Sequence, residues 1–136
     1  MKILVIDGQG GSLGAQLIKT ILAKLPDVSL IAVGTNAMAT SAMLKAGADN
    51  AATGENPVVV ACRTADVIIG PVGIVVADSL NGEITPKMAL AVGQANAARI
   101  LIPMNKCDIL VAGVKNVSVN TLIEDVINKI SEILNR

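Results

Sequence analysis

A short stretch near the start of the chain, Asp7-Gly8-Gln9-Gly10-Gly11-Ser12-Leu13-Gly14, gathers residue types that hold phosphate groups. Glycines permit positive φ and let backbone N–H groups approach a diphosphate closely. If a strand precedes the stretch and a helix follows it, the helix N-terminus adds unpaired donors and partial positive charge. Ser12 stands where its hydroxyl reaches a phosphate oxygen or caps the helix. The spacing is Gly8-x-x-Gly11-x-x-Gly14. A G-x-G-x-x-G match fails because residue 13 is Leu, and no Gly-Lys-Ser/Thr completes a P-loop. Asp7 places a carboxylate beside the phosphate position, which is costly unless it points away or a cation intervenes.

Other residues join this loop if they share a sheet edge. Thr35 and Asn36 stand where an acid usually takes a ribose hydroxyl. Asn36 can hydrogen-bond a ribose, and its lack of charge would tolerate a 2′-phosphate. Gly70 and Pro71, in Gly70-Pro71-Val72-Gly73, offer a second place for close backbone approach or simply a sharp turn. Glu83 is a candidate acid or metal ligand, with a solvated loop as the plainer reading. Cys107, between Lys106 and Asp108, is a candidate nucleophile but has no histidine to pair with. Cys62 reads as core, and Met38, Met43 and Met88 as gap-filling core residues. The two cysteines form neither a disulfide framework nor a metal knuckle, and no metal site is expected.

Positioning these residues requires alternating strands and helices. Residues 2–6 form a short apolar run rich in Ile and Val, ending in a turn. Leu13, Leu17, Ile18, Ile21, Leu22 and Leu25 recur at helical spacing until Pro26. Residues 28–33 read as a strand and 37–46 as a helix capped by Asn36, with Gly47 at its exit. Residues 49–55 are turn-like, with room for a very short strand. Asn56-Pro57 reads as an N-cap with proline first in a helix through residue 64, although Val58-Val59-Val60 favours strand. Residues 67–69 are a buried strand, 74–80 are apolar and compatible with a helix, and Thr85-Pro86 starts a helix to about 95. Strands follow at 99–103 and 108–112, and Thr121…Glu124 reads as a capping box opening the last helix. Such alternation predicts one α/β domain over residues 1–136, with a mostly parallel sheet and helices on both faces.

Composition removes several kinds of function. Among 136 residues there is no His, Phe, Trp or Tyr, so no imidazole base and no phenolic donor. Charge sums to zero and neither sign is concentrated. A nucleic-acid binder would show a basic stripe and stacking aromatics, so nucleic acid is not an expected partner. The opening residues are too short an apolar run for a signal peptide, and no stretch is long enough for a membrane span. A cytoplasmic protein is expected. A hydrophobic content of 52% with 16% charged residues suits a homo-oligomer, a homodimer in the simplest case.

Several blocks together resemble a family of small bacterial proteins known only as a domain of unknown function. They are Val5-Ile-Asp-Gly-Gln-Gly-Gly11, Gly34-Thr-Asn-Ala-Met-Ala-Thr-Ser-Ala-Met-Leu-Lys-Ala-Gly-Ala48, Ala52-Thr-Gly-Glu-Asn56, Ile68-Ile-Gly-Pro71, Gly82-Glu-Ile-Thr-Pro-Lys-Met88 and Ile100-Leu-Ile-Pro103. The resemblance implies a stand-alone, Rossmann-like three-layer sandwich and carries over no catalytic residue. The first 36 or so residues also resemble extended short-chain dehydrogenases, whose Tyr-x-x-x-Lys pair cannot exist here. The expected function is therefore a nucleotide- or dinucleotide-binding module, a sensor or accessory subunit, with NAD(P) or another nucleotide as ligand. The expected contacts are Gly8, Gln9, Gly10, Gly11, Ser12, Leu13, Gly14, Thr35, Asn36, Gly70 and Pro71. Two alternatives stay open: an interaction protein without a ligand, and a small enzyme using Asp7, Glu83 or Cys107.

Overall fold

The apolar run at the start becomes β1 (Lys2–Asp7) in a computed structural model that describes residues 1–104 and 109–136. The other strands are β2 (Ser29–Gly34), β3 (Asn50–Thr53), β4 (Val67–Pro71) and β5 (Ala98–Ile102). Every pairing is parallel, and the strand order is β3-β2-β1-β4-β5. The chain therefore winds outward from β1 to one edge, returns to β4 beside β1, and winds to the other edge. The reversal leaves a crevice between the carboxyl ends of β1 and β4.

Among the described residues, five helices cover the sheet: α1 (Ser12–Lys24), α2 (Ala37–Lys45), α3 (Glu55–Cys62), α4 (Pro86–Gln94) and α5 (Val119–Leu134). Side chains alternate along each strand, so β1 feeds two cores. Ile3 and Val5 pack with α1, α2 and α5, while Leu4 and Ile6 pack with α3 and α4. In α1, Leu13, Leu17, Ile18 and Ile21 are buried. In α5, Ile123, Val126, Ile127 and Ile130 form the packed stripe. Ile, Leu, Val, Met and Ala, with Cys62 in the second core, fill both cores without a ring.

Several local expectations change. Helix α3 begins at Glu55 with Gly54 as its N-cap, so Asn56 lies inside the helix and does not cap it. Residues 74–80 do not form an α-helix. A 3₁₀ turn spans Val72–Val75, and Asp78, Leu80 and Asn81 take left-handed backbone angles. Residues 109–112 form no strand, and residue 108 lies outside the described residues. The cap of α5 is Ser118, whose side chain accepts from the Thr121 N–H, so the cap lies three residues before Thr121 and the helix begins at Val119. Met38 is 70% exposed and belongs to no core, whereas Met43 and Met88 are buried as expected. Asn36 does cap α2, accepting from the Ala39 N–H at 2.9 Å. Among the described residues, no helix is long and apolar enough to cross a membrane.

Candidate functional site

The turn after β1 packs tightly before it opens onto the crevice. Gly11, at φ 75°, is the N-cap of α1, and a Cβ built on it would lie 2.7 Å from the Ala39 Cα. A Cβ on Gly14 would lie 2.6 Å from the Met43 sulfur and 2.9 Å from the Asp7 Cβ. These two glycines let α1 approach β1 and α2. Gly10 differs, with nothing within 4 Å of a built Cβ. The Gly8-x-x-Gly11-x-x-Gly14 spacing thus reflects packing, and Gly10 is the glycine that faces open space. Gln9, a non-glycine residue at φ 51°, carries local backbone strain.

Asp7 does not confront the crevice as a bare charge. It is 7% exposed, and its carboxylate accepts from the Gly8 N–H at 2.8 Å and the Gly14 N–H at 2.7 Å. The carboxylate closes the loop onto the first turn of α1 and meets that helix's positive end from within. Gly11 N–H donates to the Gly8 carbonyl at 3.0 Å, closing the turn. The N–H groups of Gly10, Ser12 and Leu13 have no acceptor among the described residues. Ser12 is the first residue of α1 and makes no capping bond.

The open amides border a cleft of about 280 Å³ at the β1/β4 crevice. Asp7 and the whole run Gly8 to Leu13 line one wall, and Pro71, Val72 and Gly73 line the other. Gln16, Leu80, Met104 and Val119 complete it. Leu80, Met104 and Val119 carried no local signal in the sequence. Val119 reaches the cleft because α5 is capped by Ser118. Gly14 and Gly70 are outside the lining: Gly14 packs α1, and a Cβ on Gly70 would lie 2.5 Å from the Ile6 carbonyl oxygen.

Thr35 and Asn36 also lie off the cleft and face Glu83. One oxygen of Glu83 accepts from the Gln9 N–H at 3.0 Å, the Thr35 hydroxyl at 2.5 Å and the Asn36 side-chain amide at 2.7 Å. The Asn36 amide also donates to the Gln9 carbonyl at 2.8 Å. Glu83 is thus half-buried and ties the β1–α1 loop to the β2–α2 loop, in place of the solvated loop position expected for it. Burial works to raise the pKa of its carboxyl. The bonds from Thr35, Asn36 and the Gln9 amide outweigh that effect and hold it below 4.5.

That sign fixes a pH dependence. A depressed folded-state pKa gives stability that is complete above 4.5 and lost as pH falls through the lower value. The melting-temperature gap between the wild type and Glu83→Gln is expected to stay constant from neutral pH to above 5. It should close as the solution is acidified below 4.5; a gap unchanged through that range would show that the bridge does not depend on the charge.

Cys62 is 5% exposed, and burial pushes its thiol up to about 11. It is expected to resist a maleimide at pH 8 until the protein unfolds, as peptide mass spectrometry would read. Modification of Cys62 in the native state would contradict this. Cys107, the candidate nucleophile, lies outside the described residues. Among the described residues, no group of three or more His, Cys, Asp or Glu side chains could hold a metal ion.

Strand order, the crevice at the reversal and helices on both faces define a doubly wound, Rossmann-like three-layer α/β protein. The model of the family described as Domain of unknown function (DUF3842) matches residues 2–135, and the chain belongs to that family. No curated protein matches the sequence. Among solved structures, the chain is similar to a dodecameric FMN-dependent Ubix-like decarboxylase from Escherichia coli O157:H7. That similarity has 17% identity and a TM-score of 0.46, covering 96% of this chain and 95% of the other. A score at that level has no bearing on function.

Proposed function

We propose that the protein, a single module over residues 1–136, binds a nucleotide or dinucleotide in the β1/β4 cleft. The observation that carries this reading is the set of amides of Gly10, Ser12 and Leu13, without an acceptor among the described residues, bordering an open cleft at the topological reversal. A phosphate there receives backbone hydrogen bonds, while Leu80, Met104 and Val119 supply apolar cover. Because the chain has no aromatic residue, a base would rest on aliphatic side chains. Without imidazole or phenol the module suits a cytoplasmic sensor or accessory subunit better than an acid–base catalyst.

Isothermal titration against NAD⁺, NADP⁺, FAD and ATP tests the reading. Saturable heat with at least one of them supports it, and none with all four overturns it.

A second reading, an interface with another copy of the chain, rests on a separate observation. Leu110 is 87% exposed, and Val111, Val114 and Val117 are exposed beside it, lining a groove of mixed polarity with Lys115, Asn116 and Leu122. Light scattering at high concentration is expected to give a dimer or larger, and a strict monomer would remove this reading.

A further inference from the structure

We infer that Glu83 reads the ribose of the bound nucleotide and selects a free 2′-hydroxyl over a 2′-phosphate; this deepens the proposed nucleotide reading and rests on it. In doubly wound proteins an acid at the end of the second strand commonly accepts from the ribose hydroxyls. The end of β2 here supplies Thr35 and Asn36 instead. The structure brings the missing carboxylate to that place from the segment between β4 and α4.

Three observations support the assignment. First, the carboxylate stands just outside the cleft lining, against two residues that form it: a Cβ built on Gly8, which lines the cleft, would be 3.2 Å from Glu83 Oε1. Gln9 lines the cleft too and donates its N–H to the same oxygen. Second, the orientation is fixed. Oε1 holds three donors from two loops, so the carboxylate cannot swing away without breaking all three. Third, Oε2 has no partner among the described residues and is left to accept.

The neighbours determine what it accepts. Thr35 is committed to Glu83, and the Asn36 amide to Glu83, Gln9 and the cap of α2. Asn36 is therefore not a neutral platform for a 2′-phosphate, as the sequence suggested. A phosphate there would meet a fixed negative charge, and among the described residues no Lys or Arg lines the cleft to offset it. A hydroxyl is a donor and meets an acceptor. The discrimination combines an attractive contact with a repulsive one.

The test compares NAD⁺ with NADP⁺, and ADP with 2′-deoxy-ADP, by isothermal titration of the wild type and Glu83→Gln. The wild type is expected to bind NAD⁺ about tenfold or more tighter than NADP⁺, and ADP tighter than 2′-deoxy-ADP. In Glu83→Gln, which keeps the acceptor oxygen but loses the charge, the NAD⁺/NADP⁺ ratio is expected to fall to about threefold or less. Equal wild-type affinities within either pair overturn the inference and leave the nucleotide reading standing. So does a ratio unchanged in the variant when circular dichroism shows it folded. Absence of heat from all four ligands in the wild type overturns the nucleotide reading and this inference with it.

Discussion

Gly11→Ala is expected to destabilise the protein by about 2–5 kcal/mol and lower its melting temperature by roughly 10 °C or more. Two costs combine at this residue. Its φ of 75° is left-handed, where an L side chain costs about 1–2 kcal/mol. The new methyl would also lie 2.7 Å from the Ala39 Cα and 2.9 Å from the Ala39 carbonyl oxygen, both backbone atoms that move only with α2. Overpacking of that kind costs about 1–3 kcal/mol. Gly10→Ala is the control, because its Cβ meets nothing within 4 Å and its φ is not in the left-handed range. It is expected to leave stability within about 0.5 kcal/mol of the wild type. Thermal melts of the two variants read the difference; equal melting temperatures would mean that the turn does not have the described geometry.

The second large effect belongs to Asp7→Asn, expected to cost about 2–4 kcal/mol. The Asp7 carboxylate is buried and accepts two N–H groups, one at each end of the glycine loop. An asparagine keeps one acceptor oxygen and turns a donor toward the other N–H, leaving a buried donor unsatisfied. It also removes the internal negative charge at the start of α1. The loop should loosen as well as destabilise, so the Gly8 and Gly14 amides are expected to exchange faster with deuterium. A variant as stable and as protected as the wild type would show that the carboxylate is not what closes the loop.

Regular apolar spacing explains how much of the fold was legible. Residues 2–6, 13–25 and 67–69 show the pattern of a buried strand or a one-faced helix, and the structure has an element at each. Asn36 was readable as a cap because its side chain acts three residues away. The segment from 72 to 84 was not readable. Its buried Ile74 and Ile84 belong to one core, but the chain between them turns through left-handed residues and has no period. Start signals can also compete: Ser118 and Thr121 are both good caps, and nothing local says that Ser118 is used.

The candidate site was half legible for the same reason. The glycine loop is a local signal, and six of its residues from Gly8 to Leu13 line the cleft. The spacing suggested three equivalent glycines, whereas Gly11 and Gly14 serve packing and Gly10 faces the opening. Glu83 acts across 74 residues to Gln9 and 48 to Thr35, contacts that exist only once the sheet has formed. The absence of aromatics and histidine acquires a definite meaning beside this geometry. With no ring in the chain, the proposed nucleotide would be held by amide donors and aliphatic walls.

The most direct test is a nitrogen–proton correlation spectrum of the labelled protein titrated with ADP and NAD⁺. The account predicts that the Gly10, Ser12 and Leu13 amide signals shift saturably as they gain a phosphate acceptor. The Gly8 and Gly14 signals, held by Asp7, should shift less. If those three amides stay in place at excess nucleotide, the cleft does not bind a phosphate and the central claim is wrong.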